Sequence, residues 1–368
     1  MKELTSYFSQ IQDPRQSSKC KHKLSDILLI GLLTYLSNGE DYEDMVLFAT
    51  IKGELFKEYL ALPNGIPSHD TFNRVFQILD SEWLKKCLTD YGKDLLDVLA
   101  EKQICLDGKK LKGVSPTTRG NQGLFIVNAW VSENRLCIGQ EQIDQKSNEI
   151  QAIPALLKQL DLTDATVSVD AIGCQKQIAS QIRQQAGHYL LAVKKNQKEL
   201  FDDITCAFKA NQALCVSHQW EYERNRFETR TCSVLSAGET LDQESICQWE
   251  GIQTLIRLQA ERIIDGRVQQ QIRYYISDEK NSNTQTNATY FNNLIRAHWS
   301  IENHLHWHLD VTFQEDACRV RKGNAPVNLA TLRKLALQIL TEHNDNLSLK
   351  KRRVKAALDT NYLRQLIT

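Results

Sequence analysis

Through the first hundred positions apolar residues recur at every third or fourth place, in "LSDILLIGLLTYL", "YEDMVLFATIKGELFKEYLAL", "SHDTFNRVFQILD" and "EWLKKCLTDYGKDLLDVLA". That is the period of helices that bury one face, so residues 1–100 read as a separate all-helical domain. "LPNGIP" supplies a turn, and Ser68 is placed to cap the helix that carries Phe72, Val75 and Phe76. The most apolar run, "ILLIGLLTYLSN" at 27–38, holds no charge but is only twelve residues long. About twenty are needed to cross a bilayer, so it predicts a core helix and no membrane association.

From position 103 the period changes. "QICLDGKKLKG", "GLFIVNAWVSEN" and "RLCIGQEQID" predict three strands of an antiparallel meander. A helix follows in "NEIQAIPALLKQLD", then a strand "ATVSVDA", a helix "QKQIASQIRQQAG", a strand "HYLLAVK" and a helix "QKELFDDITCAFKAN". This order predicts an α/β fold, a mixed sheet with helices packed on it. Residues from about 213 to 277 return to strand character and read as a β-rich insertion, because helical character resumes in "ATYFNNLIRAHWSIENHLHWHL".

Lysine plus arginine equals aspartate plus glutamate, 45 each, so total charge argues neither for nor against a polyanionic partner. The tail changes that picture. Residues 319–368 carry 11 basic residues against three acids, Glu342, Asp345 and Asp359. Ten cysteines are scattered with no CxxC pair and no secretory leader before them. They read as reduced, mostly buried thiols of a cytoplasmic protein.

Two aspartates stand at the ends of apolar strands, Asp107 in "ICLDGKK" and Asp170 in "VSVDAIG". Carboxyl ends of buried strands are where open sheets bind ligands, and adjacent strands would make the two side chains converge. Either alone is also an ordinary turn or cap residue. Together they suit magnesium, or manganese, hard cations that prefer oxygen ligands. Two such ions can serve an in-line phosphoryl displacement, which normally calls for a third carboxylate.

"HWSIENHLHWHLD", at 298–310, is where that third group is sought. On a helix beginning near Thr289, the side chains of His298, Glu302, His306, Leu305, Leu309 and Phe313 share one side, while His304 and His308 point the other way. The four histidines therefore do not form one cluster, and His304 with His308 falls short of the four ligands a structural zinc usually takes. Glu302 is the favoured third ligand, with Asp310, Glu315 and Asp316 as competing candidates.

At this point the chain resembles the DDE-type transposases of bacterial insertion sequences, in the branch of the H-repeat-associated proteins. "DPRQ", "HKLSDILLIGLL" and "GIPSHDTFNRVFQILD" are similar to the helical domain that precedes the catalytic domain there. "LDGKKLKG", "DQKSNEI", "VSVDAIGCQKQIA" and "HWSIENHLHWHLDVTFQEDACRVR" resemble its catalytic blocks, and "LKKRRVKAALDTNYLRQLI" its basic tail. The resemblance implies an RNase H-like catalytic domain over 101–368, with Asp107, Asp170 and Glu302 as catalytic and metal-binding triad and the β-rich stretch as the insertion of related transposases. It also implies two-metal, magnesium-dependent cleavage of element ends, strand transfer into target DNA, and a homodimer that holds two ends. The tyrosine, arginine and lysine common around the glutamate in the wider superfamily fall here on Ile295, His298 and Leu309.

Candidate DNA contacts follow from clustered charge beside these elements. They are Lys109, Lys110 and Lys112 after the first aspartate; Lys194, Lys195 and Lys198 after "HYLLAV"; Arg319, Arg321 and Lys322 after the glutamate helix; and Lys351 with Arg352 in "KKRR". His298 can donate to a phosphate or a flipped base. The helical domain reads as a packing unit or a DNA-end-binding cluster. Trp130 is expected in the core, with Trp299 and Trp307 open to base stacking. Three rival classes remain at this stage: a nuclease of the same fold that does not join, a DNA-binding regulator without catalysis, and a zinc-dependent binding module.

Overall fold

Among the described residues the helical period of the first hundred positions becomes five α-helices: α1 (Leu4–Ser9), α2 (Leu24–Leu36), α3 (Tyr42–Lys52), α4 (His69–Ile78) and α5 (Ser81–Leu95). The computed structural model describes residues 4–96, 99, 101–114, 124–143, 149–223, 226–264, 267–280 and 285–367, so most of "DQKSNEI" lies outside the described residues. Every residue of α2 except Ser25 is buried, which makes the uncharged run a core helix. No described helix is long and apolar enough to cross a membrane. Ser68 caps α4, its side chain accepting the Thr71 N–H at 3.4 Å.

Among the described residues nine strands make one sheet: β1 (Gln103–Leu111), β2 (Leu124–Val131), β3 (Leu136–Ile143), β4 (Thr166–Val169), β5 (His188–Val193), β6 (Cys215–Glu223), β7 (Arg226–Ser236), β8 (Thr254–Ile264) and β9 (Arg267–Ser277). Their order is β3-β2-β1-β4-β5-β9-β8-β7-β6. The meander β1–β3 is antiparallel, whereas β1, β4 and β5 run parallel at the centre. β9 joins β5 antiparallel, with Leu190 opposite Ser277, so the strands of the 213–277 stretch continue the central sheet. Helices α6 (Glu149–Leu157), α7 (Lys176–Gln184) and α8 (Lys198–Ala210) supply apolar residues to one face; two short helices, α9 (Ala237–Thr240) and α10 (Gln243–Cys247), follow β7.

On the opposite face α11 (Gln285–His298) presses Ala288, Phe291, Leu294 and Ile295 against Leu190, Cys215, Cys232 and Ile256. The α-helical period had suggested one helix over 288–309. Instead, beyond α11 the chain makes two π-helical stretches, Ile301–His306 and His308–Thr312, in which Trp307 N–H bonds to Glu302 O and Phe313 N–H to His308 O at 3.0 Å. Wide turns of this kind recur at functional sites. Here Ile301, Leu305, Leu309 and Phe313 enter the core while Glu302 stays at the surface. Three helices close the chain, α12 (Ala325–Glu342), α13 (Leu349–Leu358) and α14 (Thr360–Ile367).

The apolar residues of α1–α5 share one cluster with Ile301, Leu305, Leu309 and Phe313 and with residues of α12 to α14. Burial on this scale supplies the main favourable term of folding, and here it ties the N-terminal helices to the segment that carries Glu302. All ten cysteines are free, six of them buried.

Candidate active site

Pairing of β1 with β4 runs from Gln103 opposite Thr166 to Leu106 opposite Val169. The next residue in each strand is Asp107 and Asp170. β4 ends there, and Asp170 caps a short 3-10 turn by accepting the Ile172 N–H at 3.1 Å. β1 does not end at Asp107, as its sequence had suggested, but continues to Leu111 along β2. Asp107 Oδ1 accepts the Gly108 N–H at 2.9 Å.

The π-helical segment lies over this pair. Nδ1 of His306 stands 3.4 Å from Glu302 Oε2 and 3.6 Å from Asp107 Oδ2. Its Nε2 lies 3.3 Å from the amide of Asn128, which sits directly opposite Asp107 on β2. The Asn128 N–H donates to Nε2, so the ring proton belongs on Nδ1, aimed at the two carboxylates. Ligand atoms of Asp107, Glu302 and His306 lie within 4.8 Å of one another.

Charge crowding is visible in the acid strengths. Burial, then the nearby Glu302 and Asp170 carboxylates, push the Asp107 carboxyl up to about 8. The hydrogen bond from His306 holds Glu302 below its ordinary value despite partial burial. Anionic oxygens forced together in this way fit a divalent cation, which would relieve the repulsion that otherwise keeps a proton on Asp107. Asp107 and Glu302 offer oxygen donors, Asp170 stands at the end of the neighbouring strand, and His306, its Nδ1 proton turned toward Asp107 and Glu302, orients those carboxylates.

His298 ends α11 with Nδ1 2.9 Å from Ser168 Oγ, which in turn accepts from Gln103 Nε2 at 2.8 Å. That leaves the serine hydrogen for Nδ1 and the ring proton on Nε2. Burial lowers the His298 imidazole to about 4, against the opposing pull of Asp170 and Glu302. It is a neutral donor next to the acid pair.

The remaining sequence candidates divide into exposed and engaged groups. Lys194 and Lys195 are exposed, and Asn196 Nδ2 bonds to Ala171 O at 2.6 Å, bringing their turn beside that of Asp170. Arg319, Arg321 and Lys322 are exposed, with Arg321 Nε donating to Gly113 O at 3.1 Å. Lys112 bonds to Asp316 at 2.7 Å, whereas Lys109 is buried among Asp310, Glu315 and Asp316. Lys351 is exposed on α13; Arg352 is held by Asp345 at 2.7 Å and by backbone carbonyls.

Trp130 is core, donating to Ser300 Oγ at 3.0 Å. Trp299 and Trp307 are exposed, with the Arg273 guanidinium 4.7 Å from the Trp299 ring. His304 and His308 bond within their own segment, to Ser300 O and Thr312 Oγ1, and neither belongs to a metal-ligand cluster among the described residues.

Sequence reasoning gave no role to His306, Asn128 or Ser168. For His306 a signal existed, its place four residues after Glu302 on the same side. Nothing along the chain pointed to Asn128 or Ser168, which join the site only through strand register.

A mixed sheet with acids at the end of its parallel centre defines an α/β class rather than an activity. Family comparison supplies the activity: residues 99–339 match the Transposase DDE domain and 5–92 the DDE_Tnp_1-associated domain, so the chain belongs to the DDE transposases. It is 34% identical over 378 aligned positions to the H repeat-associated "putative transposase YhhI" of Escherichia coli (strain K12), covering 100% of this chain and 98% of that one. It is 35% identical to the "putative transposase YncI" of Escherichia coli O157:H7, covering 99% and 94%.

Proposed function

We propose that the protein cuts the phosphodiester at the ends of a bacterial insertion sequence and joins the freed 3′-hydroxyl to target DNA, with Asp107, Asp170 and Glu302 as the catalytic triad. The observation that supports this most is the register of β1 and β4, which sets Asp107 beside Asp170 where Glu302 and His306 close over Asp107. Magnesium or manganese held by the three carboxylates would supply charge stabilisation to both oxygens of an in-line displacement. His306 orients Asp107 and Glu302, and the neutral His298 ring presents Nε2–H to a phosphate oxygen.

DNA would lie across the exposed cations that border these groups: Lys194 beyond β5, Lys112 beyond β1, Arg319 and Arg321 after the π-helical segment, and Lys351 on α13. In this reading residues 1–100 bind the element end, β6–β9 correspond to the insertion of related transposases, and a homodimer brings two ends together.

The test is cleavage and joining of a labelled duplex carrying the element's own terminus, with magnesium, by the native protein and by Asp107→Asn, Asp170→Asn and Glu302→Gln. The expected result is nicking and joining by the native protein alone, with all three variants still bound to the end. Cleavage without joining would make it a nuclease, and binding without cleavage a regulator. Survival of cleavage in Glu302→Gln would move the third ligand elsewhere, Asp310 first.

A further inference from the structure

Lys109 lies two residues beyond Asp107 on β1, and strand geometry turns both side chains to the same face of the sheet. Asp107 meets Glu302 and His306 there. Lys109, only 7% exposed, meets the continuation of the same segment: its Nζ donates to Asp310 and lies 3.5 Å from Glu315 Oε2 and 3.7 Å from Asp316 Oδ1. Glu315 is 2% exposed, and among the described residues neither of its carboxylate oxygens has a hydrogen-bond partner. A buried, hydrogen-bond-poor carboxylate is costly without a nearby positive charge.

β1 and the Glu302 segment thus touch at two points of opposite electrostatic sign. Around Asp107 the carboxylates repel one another; around Lys109 one ammonium attracts three. With three acids around a nearly covered ammonium, Lys109 is badly placed to receive a DNA phosphate.

We infer that Lys109 is a positioning residue, whose ion pairs with Asp310, Glu315 and Asp316 hold the Glu302 segment on β1 and so set the separation of Asp107 and Glu302. The inference rests on the proposed metal-binding role of those two carboxylates. It assigns Lys109 a task distinct from the phosphate contact expected from its place in "DGKKLKG".

Charge and position predict opposite outcomes, which makes the idea testable without turnover. Removing a cation near a metal site should by charge alone tighten divalent binding. Loss of positioning should weaken it, since residues that support metal ligands typically contribute about 10–100-fold to metal affinity. We would titrate the full chain with Mn2+, without DNA, by calorimetry and by the electron paramagnetic resonance of free Mn2+.

Lys109→Met is expected to bind Mn2+ at least about tenfold more weakly than the native protein, and Lys109→Arg to recover most of that loss. Lys109→Gln replaces the methionine variant if circular dichroism shows that one unfolded. Unchanged or tighter Mn2+ binding in the neutral variant, with weaker DNA binding and a shallower salt dependence, would overturn the inference and return Lys109 to the phosphate contacts. No Mn2+ binding by the native protein would instead bring down the metal-site reading and this inference with it.

Discussion

Asp107 and Asp170 leave two neighbouring parallel strands side by side, immediately after the pair Leu106 and Val169. Without a cation Asp107 costs stability here, through its burial first and then through the nearby Glu302 and Asp170 carboxylates. The Asp107 carboxyl is raised to about 8, whereas in an unfolded chain it titrates at about 3.9. Between those values the native state keeps a proton that the unfolded state has lost, so stability falls as pH rises. Metal-free Asp107→Asn lacks this term. Its melting temperature is expected to exceed that of the native protein by roughly a few degrees at pH 8 and by less at pH 5, measured by differential scanning calorimetry. An equal difference at both pH values would show that Asp107 is not under this strain.

His306 reaches both Asp107 and Glu302, and Asn128 directs its ring. His306→Ala and Asn128→Ala are each expected to lower end cleavage by about 10–100-fold while DNA affinity stays close to native, because neither group faces the proposed DNA path. Single-turnover cleavage alongside equilibrium end binding separates the two effects. Full activity in both variants would remove this pair from the site.

His298 is neutral above about pH 5, since burial places its titration near 4. Nuclear magnetic resonance of ring-labelled histidine should therefore show its resonance unmoved between pH 5.5 and 7.5. A midpoint near 6.5, the ordinary value, would mean that the ring is open to water. Ser168→Ala, which removes the partner of Nδ1, is expected to reduce cleavage without introducing a new titration in that range.

The basic run at 350–353 separates into two behaviours. Arg353, 1% exposed, donates to Tyr35 O at 2.8 Å, to Gly39 O at 3.0 Å and to Thr312 O, joining α13 to α2 and to the end of the π-helical segment. Its loss leaves buried carbonyls without donors, so Arg353→Met is expected to cost about 3 kcal/mol or more in chemical denaturation. Lys351→Ala, on the exposed side, should leave stability unchanged and lower DNA affinity evenly across sequences, reducing the salt slope by about one. The opposite pattern would exchange the two roles.

Much of this architecture is legible along the chain. Alternation of period two and repeats of three to four placed the described strands and most helices, because those periods follow from local backbone geometry and from the burial of one face. Asp107 and Asp170 were visible as acids interrupting apolar strands, a break that local patterning makes conspicuous. Glu302 was favoured over Asp310, Glu315 and Asp316, which stayed in competition because helical spacing cannot say which part of a long segment touches the sheet.

By itself, then, the sequence determined which segments are helix or strand, which runs are core, and which few residues carry uncommon chemistry. Tertiary structure alone decided who meets whom. Strand register put Asn128 opposite Asp107 and Asp170 beside it. The π-helical turns broke the expected α-helical spacing between Glu302 and Phe313. Lys109 and Arg353 read as charged surface residues from their neighbours in the chain, yet both are buried, because the carboxylates and carbonyls that hold them lie from 41 to 318 positions away. Pairings over such distances depend on packing of the whole chain, which no local period encodes.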